Sequence, residues 1–380
     1  IGVRDPMGGY PLFWAEHDET IALSTSMRPL LDLMPSRSLS LEYLADFLMM
    51  PGQRNEGSSE LCAYKGIHRL LPGTIVSIQV PTRRVEHRTY WNWLARLNDP
   101  GTDRLADVAE QYGNLLRAAV QERICGRTLA HLSGGMDSTA VSLIAQDWIR
   151  SGVGEAPLHT LSLVYDRLPG LARERPYIEG VLQHEKEIVA HRLLADDLLD
   201  FDSFADPPLH DEPYAGLWRL EMDRAMVGVA AQVGAVTMLT GIGADTLVDV
   251  HPYYLADLLR QGRLLMAWKE AAKWARSHNC SLWGILRPFG IVPLASAWLP
   301  GGIGQKWLQR GQTGLHGQND WTIPPWVLPN FARRYALRSR AIENAQRTYC
   351  LCRHTGLSVA MSELASISCD VIRWSVTAPQ

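Results

Sequence analysis

One hexapeptide, Ser133-Gly134-Gly135-Met136-Asp137-Ser138, constrains this chain more than any other stretch. An apolar run, Thr128 to Leu132, precedes it, and a helical run, Thr139 to Ile149, follows. Strand, glycine turn and helix in that order aim backbone N–H groups and a helix N-terminus at one point, where a polyanion can sit. Two adjacent glycines let the main chain approach a ligand closely. Ser133 and Ser138 add hydroxyl donors, and Asp137 adds a carboxylate suited to magnesium held between phosphate oxygens. The Walker lysine is missing, so the segment is not the Gly-x-x-x-x-Gly-Lys-Ser/Thr loop of P-loop enzymes. The plain alternative is a Gly-Gly turn that caps a helix, with Asp137 in its first turn for the dipole.

The rest of the chain supplies the setting for that loop. A length of 380 residues suggests roughly two domains, because single cores seldom grow much beyond about 250 residues. Hydrophobic content of 46% with a formal charge of −3 describes an ordinary soluble protein and excludes a global basic field for nucleic acid. Six cysteines are scattered, and the one close pair, Cys350-Leu-Cys352, lacks the Cys-x-x-Cys spacing of zinc and redox sites. Free thiols in a reducing cytoplasm are the expectation. The longest apolar stretch, Ala225 to Leu239, is too short for a membrane span and contains Gln232 and Gly234. The Pro288–Pro300 segment is apolar but broken by prolines, so no membrane contact is expected. The chain starts at Ile1 without a methionine and stops at Gln380, and it reads as a fragment.

Residues 1 to about 92 look β-rich. Tyr10 to Ala15 and Thr20 to Ser24 flank a His17-Asp18-Glu19 turn, a hairpin signature, and Gly73 to Ile78 with Val85 to Tyr90 suggests a second hairpin. Leu41 to Met49 has helical spacing, and Asn98 to Thr102 is a polar turn cluster expected to act as a linker. Beyond it Leu105 to Ile124 is an amphipathic helix. After the glycine loop, His159 to Tyr165 is a continuous apolar strand of the doubly buried kind. A helix over 173–184, a strand from Glu187 to Ala190, a helix over 217–233 and a strand from Val236 to Leu239 follow, and the last runs into Thr240-Gly241-Ile242-Gly243-Ala244-Asp245. This alternation argues an α/β fold, a parallel sheet with helices on both faces, in which ligands bind beyond the carboxyl ends of the strands. Both glycine loops sit at such ends. Residues 252–277 form one long helix or a pair divided at Gly262. Eight of the thirteen tryptophans lie beyond residue 267, which suggests a bulky helical core, with a peptide-binding surface as the alternative.

SGGxDS resembles the pyrophosphate-binding loop of ATP pyrophosphatases, which leave AMP on a substrate. With the second loop, the chain resembles the asparagine synthetase (glutamine-hydrolysing) superfamily over nearly all its length. Arg4-Asp-Pro-Met-Gly8 with Pro11-Leu-Phe-Trp14 is similar to the second half of that family's glutaminase-like domain, and Arg69-Leu-Leu-Pro-Gly73 with Tyr90-Trp91 to its closing segment. The resemblance implies a partial β-rich Ntn-hydrolase-like domain over 1–97. It implies an ATP-binding domain of the adenine nucleotide alpha hydrolase type over 103–380, ending short at its C-terminus. Carried over residue by residue, Leu132, Ser133, Gly134, Gly135, Asp137 and Ser138 would hold the ATP phosphates, Leu163 would contact adenine, and Thr240-Gly241 would cover the nucleotide. Asp137 and Asp245 would take magnesium, with a helix cap as the alternative for Asp245. Glu174 and Arg175 recur as an acidic-basic pair, which a solvated helix face explains almost as well.

The implied chemistry joins a carboxylate to an amine. A carboxylate oxygen attacks the α-phosphorus of ATP, pyrophosphate leaves, and an amine displaces AMP from the acyl-adenylate. Three departures from the family pattern bear on which amine. Ile242 stands where asparagine synthetases carry a glutamate base, and isoleucine cannot take a proton. No cysteine stands at the start as glutaminase nucleophile, and the lysine that faces pyrophosphate beyond the Ser366–Pro379 helix is not seen. The loop without glutamate, and His251-Pro-Tyr-Tyr254 running into Leu255 to Gly262, resemble the lasso-peptide macrocyclase and β-lactam synthetase branch, whose amine lies within the substrate. A peptide α-amine has a pKa near 8, so roughly a tenth is already neutral at pH 7 and little base help is needed. Tyr254 is a candidate catalytic residue by its nearness to the second loop, although helix-start aromatics more often pack. The expected partners are ATP, magnesium, a peptide carrying both acid and amine, and a protease that matures the precursor peptide. Alternatives are asparagine synthetase proper and a nucleotide-binding relic without catalysis. A tRNA-thiolating ATP pyrophosphatase is disfavoured by the missing Cys-x-x-Cys pairs and basic patches.

Overall fold

The structure, a computed structural model, describes residues 1–49, 59–92, 95, 104–202, 212, 219–245, 252–298 and 323–341. The Asn98–Thr102 linker, the Cys350/Cys352 pair, His251 and the Ser366–Pro379 helix lie outside the described residues. The chain divides into two compact units, one of 1–97, 209–215 and 245–380, the other of 98–208 and 216–244.

The second unit carries both glycine loops. Its sheet holds β7 (Arg127–His131), β8 (Glu155–Val164), β9 (Val189–Leu194) and β10 (Thr237–Leu239), all parallel, in the order β10-β7-β8-β9. Before it runs α3 (Leu105–Arg123). Between the strands lie α4 (Met136–Arg150), the short α5 (Pro169–Ala172), α6 (Arg175–His184) and α7 (Leu220–Gln232). Alternate strand residues face opposite ways. Ala130 and Leu158 pack with Val120 of α3 and Ile144, Ala145 and Ile149 of α4. Leu129 and Leu161 pack with Met226 and Ala230 of α7 on the other face. Leu129 and Leu161 are fully buried, each contributing about 1.5–3 kcal/mol of transfer free energy. The expected α/β sheet with helices on both faces is therefore present.

Two boundaries moved for physical reasons. α4 begins at Met136, three residues before the apolar periodicity, because Gly135 caps it and the motif itself forms the first turn. β9 runs to Leu194, four residues beyond its expected end, because its partner β8 continues to Val164.

The other unit opens with two antiparallel three-stranded sheets. β1 (Gly2–Val3), β5 (Thr74–Gln79) and β6 (Arg84–Thr89) form one, and β2 (Phe13–His17), β3 (Thr20–Ser24) and β4 (Ile67–Arg69) the other. Both expected hairpins form, although β2 starts at Phe13, since Pro11 cannot donate to a ladder. Buried Arg4 ties the first loop together, donating from Nη1 to the Leu70 carbonyl at 2.6 Å and from Nη2 to the Gly8 carbonyl at 2.8 Å. Asp5 Oδ1 accepts the Met7 and Gly9 amides, each at 3.0 Å. Helices α1 (Arg28–Leu31) and α2 (Leu41–Met49) complete this region, α2 over the expected range. Glu212 also belongs to this unit. Its carboxylate accepts the Ala63 amide at 2.9 Å and pairs with Arg69, the two side chains being 4% and 1% exposed.

The 252–277 segment is a pair of helices, α8 (Tyr254–Arg260) and α9 (Leu264–Ser277), divided at Gly262 with φ +71°. α9 turns Ala267, Ala271 and Ala275 inward, a small-residue stripe that admits α10 (Leu282–Leu286) closely. A π-helical turn (Arg287–Ile291), α11 (Val292–Trp298) and α12 (Pro329–Arg334) follow. Among the described residues the expected tryptophan-built core is not found here. Trp268, Trp283 and Trp326 are exposed, and the cluster is made of Leu255, Leu258, Ile285, Phe289 and the α9 alanines, with Trp274 only packed against it. Among the described residues no helix is long and apolar enough to cross a membrane.

Candidate active site

β7 delivers the chain into the first loop already fixed. The Leu132 amide donates to the Leu161 carbonyl at 2.8 Å, and the Leu132 carbonyl accepts the Ser162 hydroxyl at 2.6 Å. Gly134 then turns at φ +85°, and a Cβ there would stand 2.8 Å from the Glu174 carbonyl oxygen, so only glycine fits. Glu174 thus contributes its backbone to the loop wall, while Arg175 pairs with Asp166 at 3.0 Å on the surface. Ser138 Oγ accepts the Ser133 amide at 3.1 Å, Ser133 Oγ accepts the Gly135 amide at 3.2 Å, and the two hydroxyls lie 2.8 Å apart. In this structure the serines brace the loop itself. Gly135 is the N-cap of α4 and has no side chain with which to accept a first-turn amide, so the positive end of the helix opens on the glycine loop. Asp137 stands in that first turn.

The second loop closes on the first. β10 pairs with β7 through Leu239 and Ala130, so Thr240 leaves the sheet beside His131. A Cβ on Gly241 would lie 2.7 Å from the Ser138 nitrogen and 3.1 Å from the Asp137 carbonyl carbon. No side chain could stand there without displacing the start of α4. Gly243 takes φ +94°, and the Ala244 amide donates to the Gly241 carbonyl at 3.4 Å. Met136 and Ile242 project into solvent, 85% and 57% exposed. The strand order explains the meeting. The chain leaves β7 toward β8 but returns to β10 on β7's other side, and ligands of such sheets bind where the order reverses.

The structure therefore brings Leu132, Ser133, Gly134, Gly135, Asp137 and Ser138 together with Thr240 and Gly241. Leu163 lies half-buried on the α7 face of β8. Asp245 is exposed directly after Ala244 and, like Tyr254, falls in the other compact unit. The Tyr254 hydroxyl donates to Glu270 Oε2 at 3.3 Å and accepts the Trp274 indole N–H at 3.0 Å, and burial raises its pKa.

Three titratable groups of this unit had no motif to announce them. Asp196, at the carboxyl end of β9, accepts the Asp166 amide at 2.8 Å and the Arg167 amide at 2.7 Å. The Asp166 bond leads in holding its carboxyl below the usual range. His131, the last residue of β7, has its pKa lowered by burial and then by Arg219. Asp223, one turn along α7 from Arg219, is raised by burial against the pull of that arginine. The one sequence signal for His131 was a titratable residue within an apolar strand, immediately before a phosphate-type loop.

A parallel sheet with two glycine loops interlocked at its switch point defines a phosphate-binding α/β domain. The backbone cradle, with a glycine-capped helix start on one side and a glycine no Cβ can replace on the other, fits a nucleotide polyphosphate. A family model described as asparagine synthase matches residues 111–306, just over half of the chain and inclusive of both loops. The chain belongs to the asparagine synthase family. That membership carries ATP-dependent amide ligation as the general chemistry, with magnesium-bound ATP as the family's nucleotide. No match to a curated protein is found.

Proposed function

We propose that this chain is an ATP-dependent ligase that adenylates a carboxylate, releases pyrophosphate, and lets an amine of the same peptide displace AMP, closing an intramolecular amide. The observation that carries the reading is the contact of Gly241 with the Asp137–Ser138 backbone, which makes one cradle of two loops. The α4 amides would receive the pyrophosphate oxygens as negative charge builds on the departing group. Asp137 would hold magnesium, which would supply charge neutralisation for the phosphates. Asp245 is proposed as the second carboxylate and Tyr254 as a group near the substrate. Ile242, exposed and apolar, offers no proton acceptor, which suits an amine that is already partly neutral over ammonia. The free thiols Cys62, Cys125 and Cys280 accord with a reducing cytoplasm. A precursor peptide and a maturation protease are the partners this reading implies, with the N-terminal region as a partial glutaminase-like domain.

The test is turnover of radiolabelled ATP with magnesium against a panel of peptides bearing free carboxylates. AMP and pyrophosphate should form in equal amounts, and Asp137→Asn should lower the rate by at least a hundredfold. Unchanged turnover in that variant would remove Asp137 from the mechanism. Ile242→Glu with aspartate and ammonia addresses the amine, since a gain of asparagine formation would place the ammonia route within reach of this site.

A further inference from the structure

His131 Nε2 is buried and has no hydrogen-bond partner among the described residues. Buried polar atoms are satisfied in the great majority of cases, so an orphan beside a binding loop calls for a partner beyond the described residues, and a ligand at that loop is one. Its place is well defined. His131 pairs in register with Leu161 and shares the α7 face with Leu161 and Leu163, whereas Ala130 and Leu132 face the α4 side. The α4 side beneath the loop carries Ala130, Ile144, Ala145 and Leu158 together with buried hydroxyls. Ser162 donates to the Leu132 carbonyl at 2.6 Å and Ser142 to the Ser138 carbonyl at 2.8 Å. Thr160 Oγ1, in register with Ala130 and so one residue deeper in the sheet than His131, has no partner among the described residues. On the α7 side, at the carboxyl edge, stand half-buried Leu163, the His131 ring and the Arg219 charge.

An apolar support next to one unsatisfied ring nitrogen suits a flat heteroaromatic group that is apolar on its faces and hydrogen-bonds at its edge. A carboxylate suits it less, because burial and Arg219 both keep this imidazole neutral. We propose that His131 Nε2 hydrogen-bonds to the edge of the nucleotide's purine ring, which makes His131 a specificity-determining residue on the α7 side of the loops. The inference rests on the nucleotide reading above and adds to it a side chain of this chain that reads the edge of the base.

Two probes separate base from phosphates: the magnesium complex of α,β-methylene-ATP, and magnesium tripolyphosphate, which has no base. Calorimetric titration of the 380-residue chain should show His131→Leu weakening the nucleotide analogue about five- to tenfold, the scale of one buried hydrogen bond. Tripolyphosphate affinity should stay within twofold, and His131→Gln, which keeps a polar edge, should recover most of the nucleotide affinity. In the unaltered chain the His131 Nε2 nitrogen resonance should shift when the analogue binds. An unmoved resonance, equal loss for both probes, or no loss for either in His131→Leu overturns the inference and leaves the nitrogen to an ordered water. Asp137→Asn is the control for the underlying reading and should weaken both probes. A chain that binds neither probe, or binds both equally well as Asp137→Asn, refutes the nucleotide reading and this inference with it.

Discussion

Gly241 carries more of the site than its size suggests. A methyl group there meets the Ser138 nitrogen at 2.7 Å and the Ser138 Cα at 3.0 Å, and both belong to a helix start that cannot yield alone. Gly241→Ala is therefore expected to push the loops apart and weaken magnesium-ATP binding at least tenfold, about 1.4 kcal/mol, in a calorimetric titration. Gly228→Ala is the control, since nothing lies within 4 Å of a Cβ there and an interior helix position gains about 0.5–1 kcal/mol from alanine. If Gly241→Ala binds as tightly as the control, the cradle is not formed by both loops. At this scale the sequence disclosed glycines, aspartates and serines through their motifs. For His131 it held one faint signal, a titratable residue at the end of an apolar strand, and for Arg219 none, because the fold alone brings that charge near the ring. Nor could it show that Ser133 and Ser138 turn their hydroxyls to each other.

Among the elements, those with strong local signals emerged from the sequence closest to their true extents. α2 occupies its expected range, and the β5–β6 hairpin forms where its alternation stood. Gly262 divides α8 from α9 because its φ of +71° stops a helix that its neighbours would continue. Alanine there meets no atom within 4 Å, so its cost is backbone strain alone, about 1 kcal/mol. Gly262→Ala should lower stability by that amount in urea unfolding, and no change would mean that the helix pair tolerates a continuous turn. β9 was read short because its last residues alternate with His191 and Arg192, whose pairing comes from β8 and not from their own pattern. The tryptophans misled for a related reason. Their size suggested a core, but the alanine stripe of α9 had already filled it, and Trp268 and Trp283 were left outside.

Across the whole molecule, long-range pairing is what the sequence concealed. Glu212 lies within the family-matched segment, yet its carboxylate is buried against Ala63 and Arg69, 149 and 143 residues away. No local pattern encodes that contact. Histidines give the molecule a common pH response. His68, His131 and His159 all have lowered pKa values, each led by burial. Above about pH 6.5 they are neutral folded or unfolded and contribute nothing. As pH falls below that value the unfolded chain takes up protons the folded one refuses, so stability should decrease toward their lowered folded values. Urea midpoints at pH 7.5, 6.5 and 5.5 should fall in that order, with a shallower decline in His131→Leu. A flat or rising series contradicts the burial of these rings.

The account depends on two separate loops forming one polyphosphate cradle, and amide hydrogen exchange reads both at once. On saturation with the magnesium complex of α,β-methylene-ATP, residues 133–139 and 240–244 should slow together by at least tenfold, while α2 and the β5–β6 hairpin stay unchanged. Protection of one loop without the other, or of neither while the analogue is bound, would contradict it.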